Sequence, residues 1–153
     1  MSILKAIDAF NSLIVINNDR IKGYKTASRE IKEPELKQFF IDLSETSVTC
    51  RNELIDKVEF LGGVVDEGTK TSGKFFRAWM EIKSALTGND ISTIARLCQY
   101  GENVALDTYK NVLIQEVHEI RFAEQNLLNK QYALLKGDYE KLKLIRNVLK
   151  SGR

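Results

Sequence analysis

Apolar residues recur along this chain with the spacing of α-helices. Near the N-terminus they return every seven residues, with a second row beside the first, and so form one broad stripe: Ile3, Ile7, Phe10, Ile14, Ile21, Tyr24 and Ile31. Stripes of this kind are typical of helices that bury one face. They continue in four later segments. The pattern therefore predicts five helices, at residues 3–32, 34–61, 73–87, 90–114 and 118–150.

The lengths of the links between these helices predict the topology. Pro34 suits the first turn of the second helix, and Gly62-Gly63 ends it. A single helix over residues 90–150 would be about 90 Å long, so we expect a turn near residues 113–118. Both short links make antiparallel pairs, whereas the link over residues 63–89 is long enough to run the length of a bundle. One such crossover is the connectivity of ferritin-like folds.

We therefore predict an all-α, ferritin-like antiparallel four-helix bundle, with a long crossover that contains a short helix. The crossover leaves the second and third long helices parallel. With 153 residues the chain suits a single domain, which we take to span residues 1–153.

Composition removes several classes of function. Hydrophobic residues make up 43% and charged residues 29% of the chain, and the formal net charge is only +2. Nucleic-acid binders usually show a strong basic excess, so we expect no nucleic-acid partner. No apolar run approaches the ~18 residues of a membrane span, and the N-terminus lacks the order of a signal peptide. We expect a cytoplasmic protein with no membrane partner.

Polar residues interrupt the apolar stripes near the midpoint of each long helix. They are Asn17 in the first, Ser47 and Cys50 in the second, Glu102 in the third and Gln131 in the fourth. A buried amide without a partner costs about 1–3 kcal/mol, so we expect Asn17, Ser47 and Gln131 to hydrogen-bond to one another. We predict a neutral polar layer that fixes the register of the helices.

Ferritin-like di-metal sites need a Glu from each of two helices and a Glu-x-x-His from each of the other two. The only histidine is His118, and Gln115 stands three residues before it, so no Glu-x-x-His exists. We therefore expect no metal and no cofactor. Two alternatives stay open for the same residues: a degenerate metal site, or a pocket for a small molecule.

The predicted crossover helix is too apolar for a helix exposed to solvent. Phe75, Phe76, Trp79 and Met80 are its most prominent large side chains. They predict either docking on the flank of the bundle or, with Trp79 as an anchor, an interface between copies of the chain.

Several short motifs resemble a bacterial family of four-helix-bundle proteins of unknown function with a ferritin-like fold. The matching stretches are Ile16-Asn17-Asn18-Asp19, Gly23-Tyr24, Pro34-Glu35-Leu36, Leu61-Gly62-Gly63, Gly101-Glu102, Tyr109, Lys130-Gln131 through Leu144-Ile145-Arg146, and, most specifically, residues 79–88 with the sequence WMEIKSALTG. The resemblance implies the fold but no settled activity. Relatives often carry a His where this chain has Tyr139, so the metal role that such a His would imply does not extend to this chain.

These observations predict a protein that is not an enzyme. Its single His has no Cys partner for a nucleophile–base pair, and no Gly-rich phosphate loop occurs. We expect a helical-bundle protein that acts by self-association or protein interaction, as a homo-oligomer. The alternative is a ferritin-like metal-binding or oxidative-stress protein with an atypical di-metal site. A carrier of a small apolar molecule is a third, weaker possibility.

Overall fold

The computed structural model describes residues 3–68, 80–82, 84, 85, 88, 90–115 and 122–151. Four long helices account for most of them: α1 (Ile3–Glu30), α2 (Pro34–Phe60), α3 (Ile91–Gln115) and α4 (Phe122–Ser151). Residues 80–82, 84 and 85 are helical as well, and none of the described residues is in a β-strand. The predicted all-α bundle is confirmed. Helices α1 and α2 begin at the predicted residues, and the other bounds of the four long helices differ from the predicted ones by one to four residues.

The helix ends follow from their local sequences. Pro34 occupies the first turn of α2, where its missing N–H is no loss. At the other end, Gly62 adopts a positive φ of 78°, which glycine reaches without steric cost. The amides of Gly62 and Gly63 then donate to the carbonyls of Glu59 and Val58, at 3.0 and 2.9 Å. This pattern of two hydrogen bonds is a Schellman motif, and it satisfies the last carbonyls of α2.

Each helix packs against two neighbours, and the two halves of the bundle have separate cores. Helix α1 contacts α2 and α3, and α4 also contacts α2 and α3. One core joins the start of α1 to the end of α2, the end of α3 and the start of α4, through Phe10, Val58, Val112 and Leu128. The other joins the opposite ends, through Tyr24, Phe40, Ile94 and Leu142. Neighbouring helices are therefore antiparallel, and α2 and α3 run parallel, as the long link predicted.

The chain that follows α2 is fastened to the side of α1. The side chain of Asn11 donates to the carbonyl of Val64 at 2.9 Å and accepts from the amide of Asp66 at 2.9 Å. Two turns further along α1, the side chain of Asn18 donates to the carbonyls of Asp66 and Gly68. The crossover thus begins by running back along α1, away from the end of α2.

The later part of the crossover reaches the second core. Ile82 is buried and packs among the residues of that core, whereas Met80 is half exposed. Ile82 therefore docks on the flank of the bundle. Three of the residues predicted to form an interface, Phe75, Phe76 and Trp79, lie outside the described residues, as does His118.

Candidate functional site

The five residues predicted to form a polar layer all lie in the interior. Asn17, Ser47, Cys50, Glu102 and Gln131 are each at most 1% exposed. They come from all four long helices. Each stands on the inward stripe of its helix, near the level where the two cores meet, and this shared level is why they lie close together. The structure therefore brings together the set that the sequence pattern selected.

Their centre is a charged side chain, the guanidinium of Arg20, which is completely buried. Its Nε and Nη2 donate to the two carboxylate oxygens of Glu102, at 2.7 and 2.6 Å. Nη2 also donates to Oδ2 of Asp138 at 3.2 Å, and Nη1 donates to the hydroxyl of Ser47. One side chain from α1 therefore binds to α2, α3 and α4 at once. We call Arg20, Ser47, Glu102 and Asp138 the ion network.

The prediction of a neutral layer is wrong. One guanidinium faces two carboxylates, so the ion network carries a formal charge of −1. Burial acts to lower the pKa of Arg20, but attraction to Glu102 and the hydrogen bonds that Arg20 donates to it act in the opposite direction and prevail, so that this pKa lies above its usual range. Arg20 therefore stays charged at neutral pH. The cost of burying the charge is offset because every guanidinium nitrogen has an acceptor.

A second chain of hydrogen bonds, which runs mainly through uncharged groups, adjoins the ion network. Asn17 donates through Nδ2 to the hydroxyl of Tyr109 at 2.9 Å, and that hydroxyl donates to Oε1 of Gln131 at 2.7 Å. Gln131 in turn donates through Nε2 to the carbonyl of Cys50 and to the carboxylate of Glu53, at 3.1 and 3.0 Å. We call this the tyrosine bridge, because Tyr109 joins two amides that do not touch directly.

The expected mutual bonding of Asn17, Ser47 and Gln131 is thus corrected in two respects. Tyr109 stands between the two amides, and Ser47 binds Arg20 instead of either amide. The physical reason is the difference in length between the two side chains. The phenol of Tyr109 spans the gap between α1 and α4, whereas a serine side chain is short and meets only the guanidinium beside it.

The thiols near this site are poor nucleophiles. Burial raises the pKa of Cys50 to about 11, and the nearby Arg20 offsets only part of that rise. Burial, followed by the charge of Glu102, raises the pKa of Cys98 further still. Since the thiolate is the reactive form, both groups are protonated and unreactive at neutral pH. Chemistry with oxidants through these thiols is therefore disfavoured.

The donor set also bears on metal binding. Among the residues that the structure describes, no three His, Cys, Asp or Glu side chains are placed to hold a metal ion. Both oxygens of Glu102 already accept from Arg20, so a divalent ion at the centre would have to displace the guanidinium. Within the described residues, the hydrogen bonds of Arg20, Glu102 and Tyr109 join the four long helices to one another at this level.

Analysis of the sequence missed Arg20 and Asp138, although helical spacing marked both. Arg20 lies three residues after Asn17 and four before Tyr24, and Asp138 lies seven residues after Gln131. All five positions face inward. Neither charged residue was included in the predicted polar layer, because a charge is rarely buried without a partner. Arg20 pairs with Glu102 and with Asp138, and these pairs become apparent only when the helices are assembled.

A comparison with protein families sets this site in context. The model of a family described as a domain of unknown function (DUF2383) matches residues 5–115. The chain belongs to that family. The DUF2383 match covers α1, α2, the crossover and α3, and so includes Arg20, Ser47 and Glu102, while Asp138 and Gln131 lie beyond it in α4. The predicted resemblance to a family of unknown function is confirmed.

Two further findings describe this DUF2383 protein. A search of curated proteins finds no match. Within the described part of the chain, no helix combines the length and the apolar character that crossing a membrane requires.

Proposed function

We propose that this protein is a non-enzymatic helical-bundle protein of the cytoplasm that acts through its surfaces, by self-association. The single observation that carries the proposal is a group of large apolar side chains that the bundle leaves exposed at one end. They are between 52% and 86% exposed, and we call them the apolar end: Ile3, Leu4, Phe60, Val64 and Ile114.

These residues share one end because of the helix directions. Helix α1 begins at Ile3, α2 ends at Phe60, and α3 ends one residue after Ile114. Their neighbours in sequence, among them Ala6 and Val112, belong to one core. Apolar side chains that are scattered singly over a surface need no explanation, but a group rimmed by polar residues is typical of an interaction site.

The charges around the apolar end favour a second copy of the chain as the partner. Asp8 on α1 and Glu59 on α2 carry one sign, and Lys57 on α2 carries the other. In a two-fold dimer the same patch meets itself, so a patch bearing both signs can pair acid with base across the axis. A membrane surface usually selects a strongly basic rim, and a nucleic acid selects a basic face. We therefore propose neither as a partner.

Sedimentation velocity tests this proposal. At about 100 µM the wild-type protein should sediment as a defined oligomer that dissociates on dilution. The double variant Leu4→Ser/Phe60→Ser should be monomeric at the same concentration. The matched control is Leu144→Ser, because Leu144 is 65% exposed in the opposite half of the bundle. A monomeric wild type, or equal dissociation of the Leu144 variant, would overturn the proposal.

A second candidate is a ferritin-like metal-binding or oxidative-stress protein with an atypical or degenerate di-metal site. The long crossover between α2 and α3 supports it, since ferritin-like bundles share that connectivity. Glu102 and Asp138, which share the guanidinium of Arg20, are its candidate ligands. Against it, Arg20 already supplies the positive charge that these carboxylates need.

Elemental analysis distinguishes the two candidates. Iron or manganese that remains stoichiometric after dialysis, and is lost in Glu102→Ala, would establish the second. Metal content at the level of a buffer blank, in a protein that self-associates, supports the first.

A further inference from the structure

A cleft between α3 and α4, distinct from the buried site and from the apolar end, has the make-up of a ligand site. Its volume is about 590 Å³, within the range of about 300–1,000 Å³ that small-molecule pockets occupy. A hydrogen bond joins its two walls, from Nη1 of Arg146 on α4 to Oε1 of Gln99 on α3, at 2.8 Å.

Two helical rows face each other across this cleft. On α3 the row is Arg96, Tyr100 and Asn103, with the spacing i, i+4, i+7 that keeps residues on one face. On α4 it is Tyr139 and Arg146, two turns apart. Because the helices are antiparallel, Arg96 and Arg146 lie at the same end of the cleft, and Tyr100 and Tyr139 lie further along it.

The arginine end is suited to an anion. Arg96 is exposed and makes no hydrogen bond or ion pair with any residue that the structure describes. Arg146 uses one nitrogen on Gln99 and keeps further N–H donors for another acceptor. Guanidinium groups match the geometry of carboxylates and phosphates, which they bind through two parallel hydrogen bonds. Among the described lining residues, Glu81 on the crossover is acidic, and its one charge opposes the two positive charges only in part.

The tyrosine part is suited to a flat ring. Tyr100 is 52% exposed, which is unusual for a large aromatic side chain beside a cleft and leaves its ring available for stacking. Tyr139 is half-buried and forms the opposite wall. Asn103 adds an amide that can donate to or accept from polar atoms on a ring.

We propose that this cleft binds a small anion that carries a planar ring, with its carboxylate or phosphate on Arg96 and Arg146 and its ring against Tyr100. Aromatic carboxylates and nucleoside monophosphates share this chemistry. The proposal is independent of self-association, because none of its residues belongs to the apolar end.

Isothermal titration calorimetry with four probes tests the proposal. The probes are adenosine monophosphate, benzoate, adenosine and inorganic phosphate. At least one of the two ringed anions should bind, and whichever binds identifies the anionic group. Adenosine and phosphate should each bind about tenfold more weakly or worse, because each lacks half of the recognised features. Equal binding of phosphate would overturn the ring contact, and no binding of either ringed anion would overturn the site.

Three variants locate the site. Arg96→Gln should weaken binding at least about tenfold, since it removes a charge-assisted contact. Glu81→Gln should strengthen it, because it removes the opposing charge from the lining. The matched control is Arg29→Gln, which removes one arginine from a different groove, between α1 and α2. Equal loss in the Arg29 and Arg96 variants would show a non-specific charge effect and would refute the site, as would weaker binding by the Glu81 variant.

Discussion

The ion network yields the sharpest prediction, because one substitution isolates it. Arg20→Met keeps the aliphatic stem and much of the volume of the side chain but removes the guanidinium. Glu102, which is 1% exposed, and Asp138, which is 7% exposed, are then left in the interior without their cation. Breaking a buried ion pair by removing one partner costs about 3–5 kcal/mol. That is a large part of the 5–15 kcal/mol that stabilises a typical domain.

Urea unfolding followed by circular dichroism at 222 nm measures this loss. With a slope near 2 kcal/mol per molar urea, a loss of 3–5 kcal/mol moves the unfolding midpoint down by about 1.5–2.5 M. The control is Lys136→Met, which breaks the exposed pair between Lys136 and Glu140, where the N···O distance is 3.7 Å and the side chains are 48% and 50% exposed. Exposed pairs contribute about 0–1 kcal/mol, so the midpoint of this variant should hardly move.

A double variant separates the stranded charge from simple loss of packing. In the Arg20→Met background, Glu102→Gln should cost nothing or restore stability, because it removes the carboxylate that has lost its cation. In the wild-type background the same change should be destabilising, because it removes half of the pair. The reasoning is refuted if Arg20→Met costs under about 1 kcal/mol, the level of the surface control, or if the two substitutions are additive.

Three further variants address other contacts. Gly63→Ala should lower the free energy of unfolding in urea by about 1–3 kcal/mol, because the new Cβ would lie 2.7 Å from Cγ2 of Ile7. Gly137→Ala should raise that free energy by up to about 1 kcal/mol, because nothing lies within 4 Å of the new atom. Equal effects of the two variants would contradict this reasoning. Tyr109→Phe should cost about 1–3 kcal/mol by leaving two buried amides without their bridge, and a thermal midpoint equal to that of wild type would argue against the tyrosine bridge. The folded protein holds the proton of Cys50 more tightly than the unfolded chain does, with a pKa of about 11 against 9.0, so its stabilising contribution is complete below pH 9 and is lost as the pH rises towards 11. Cys50→Ala should therefore flatten the fall of unfolding free energy between pH 9 and pH 11, and an unchanged slope would exclude that thiol as a cause.

Periodicity predicted most of the fold because each long helix buries a single stripe. Phe10, Phe40, Ile94 and Leu142 are all buried, and all stand on stripes read from the sequence. The relative directions of the helices followed from the lengths of the links, since two helices joined by a short link must run antiparallel. The link between α3 and α4 was harder to place from the sequence, because no Gly or Pro marks it.

The chemistry of the interior was harder to predict, for a physical reason. Inward-facing amides such as Asn17 and Gln131 stand out, because they break an apolar stripe. Arg20 also breaks the apolar stripe of α1, on which Asn17 stands, but a charge can be assigned to the interior only when its partner is known. That partner, Glu102, is 82 positions away in sequence, and helical spacing carries no information across that distance.

The ion network also divides the positive and negative charges between the two halves of the chain. Residues up to 68, with α1 and α2, contain the cation Arg20, and residues from 80 onward, with α3 and α4, contain both of its anions. Neither helical hairpin alone has a balanced interior. Each hairpin would have to expose or neutralise a charged side chain that the complete bundle buries: Arg20 in the first, and Glu102 and Asp138 in the second. The two hairpins are therefore complementary in charge as well as in shape, because the cation of one meets the anions of the other.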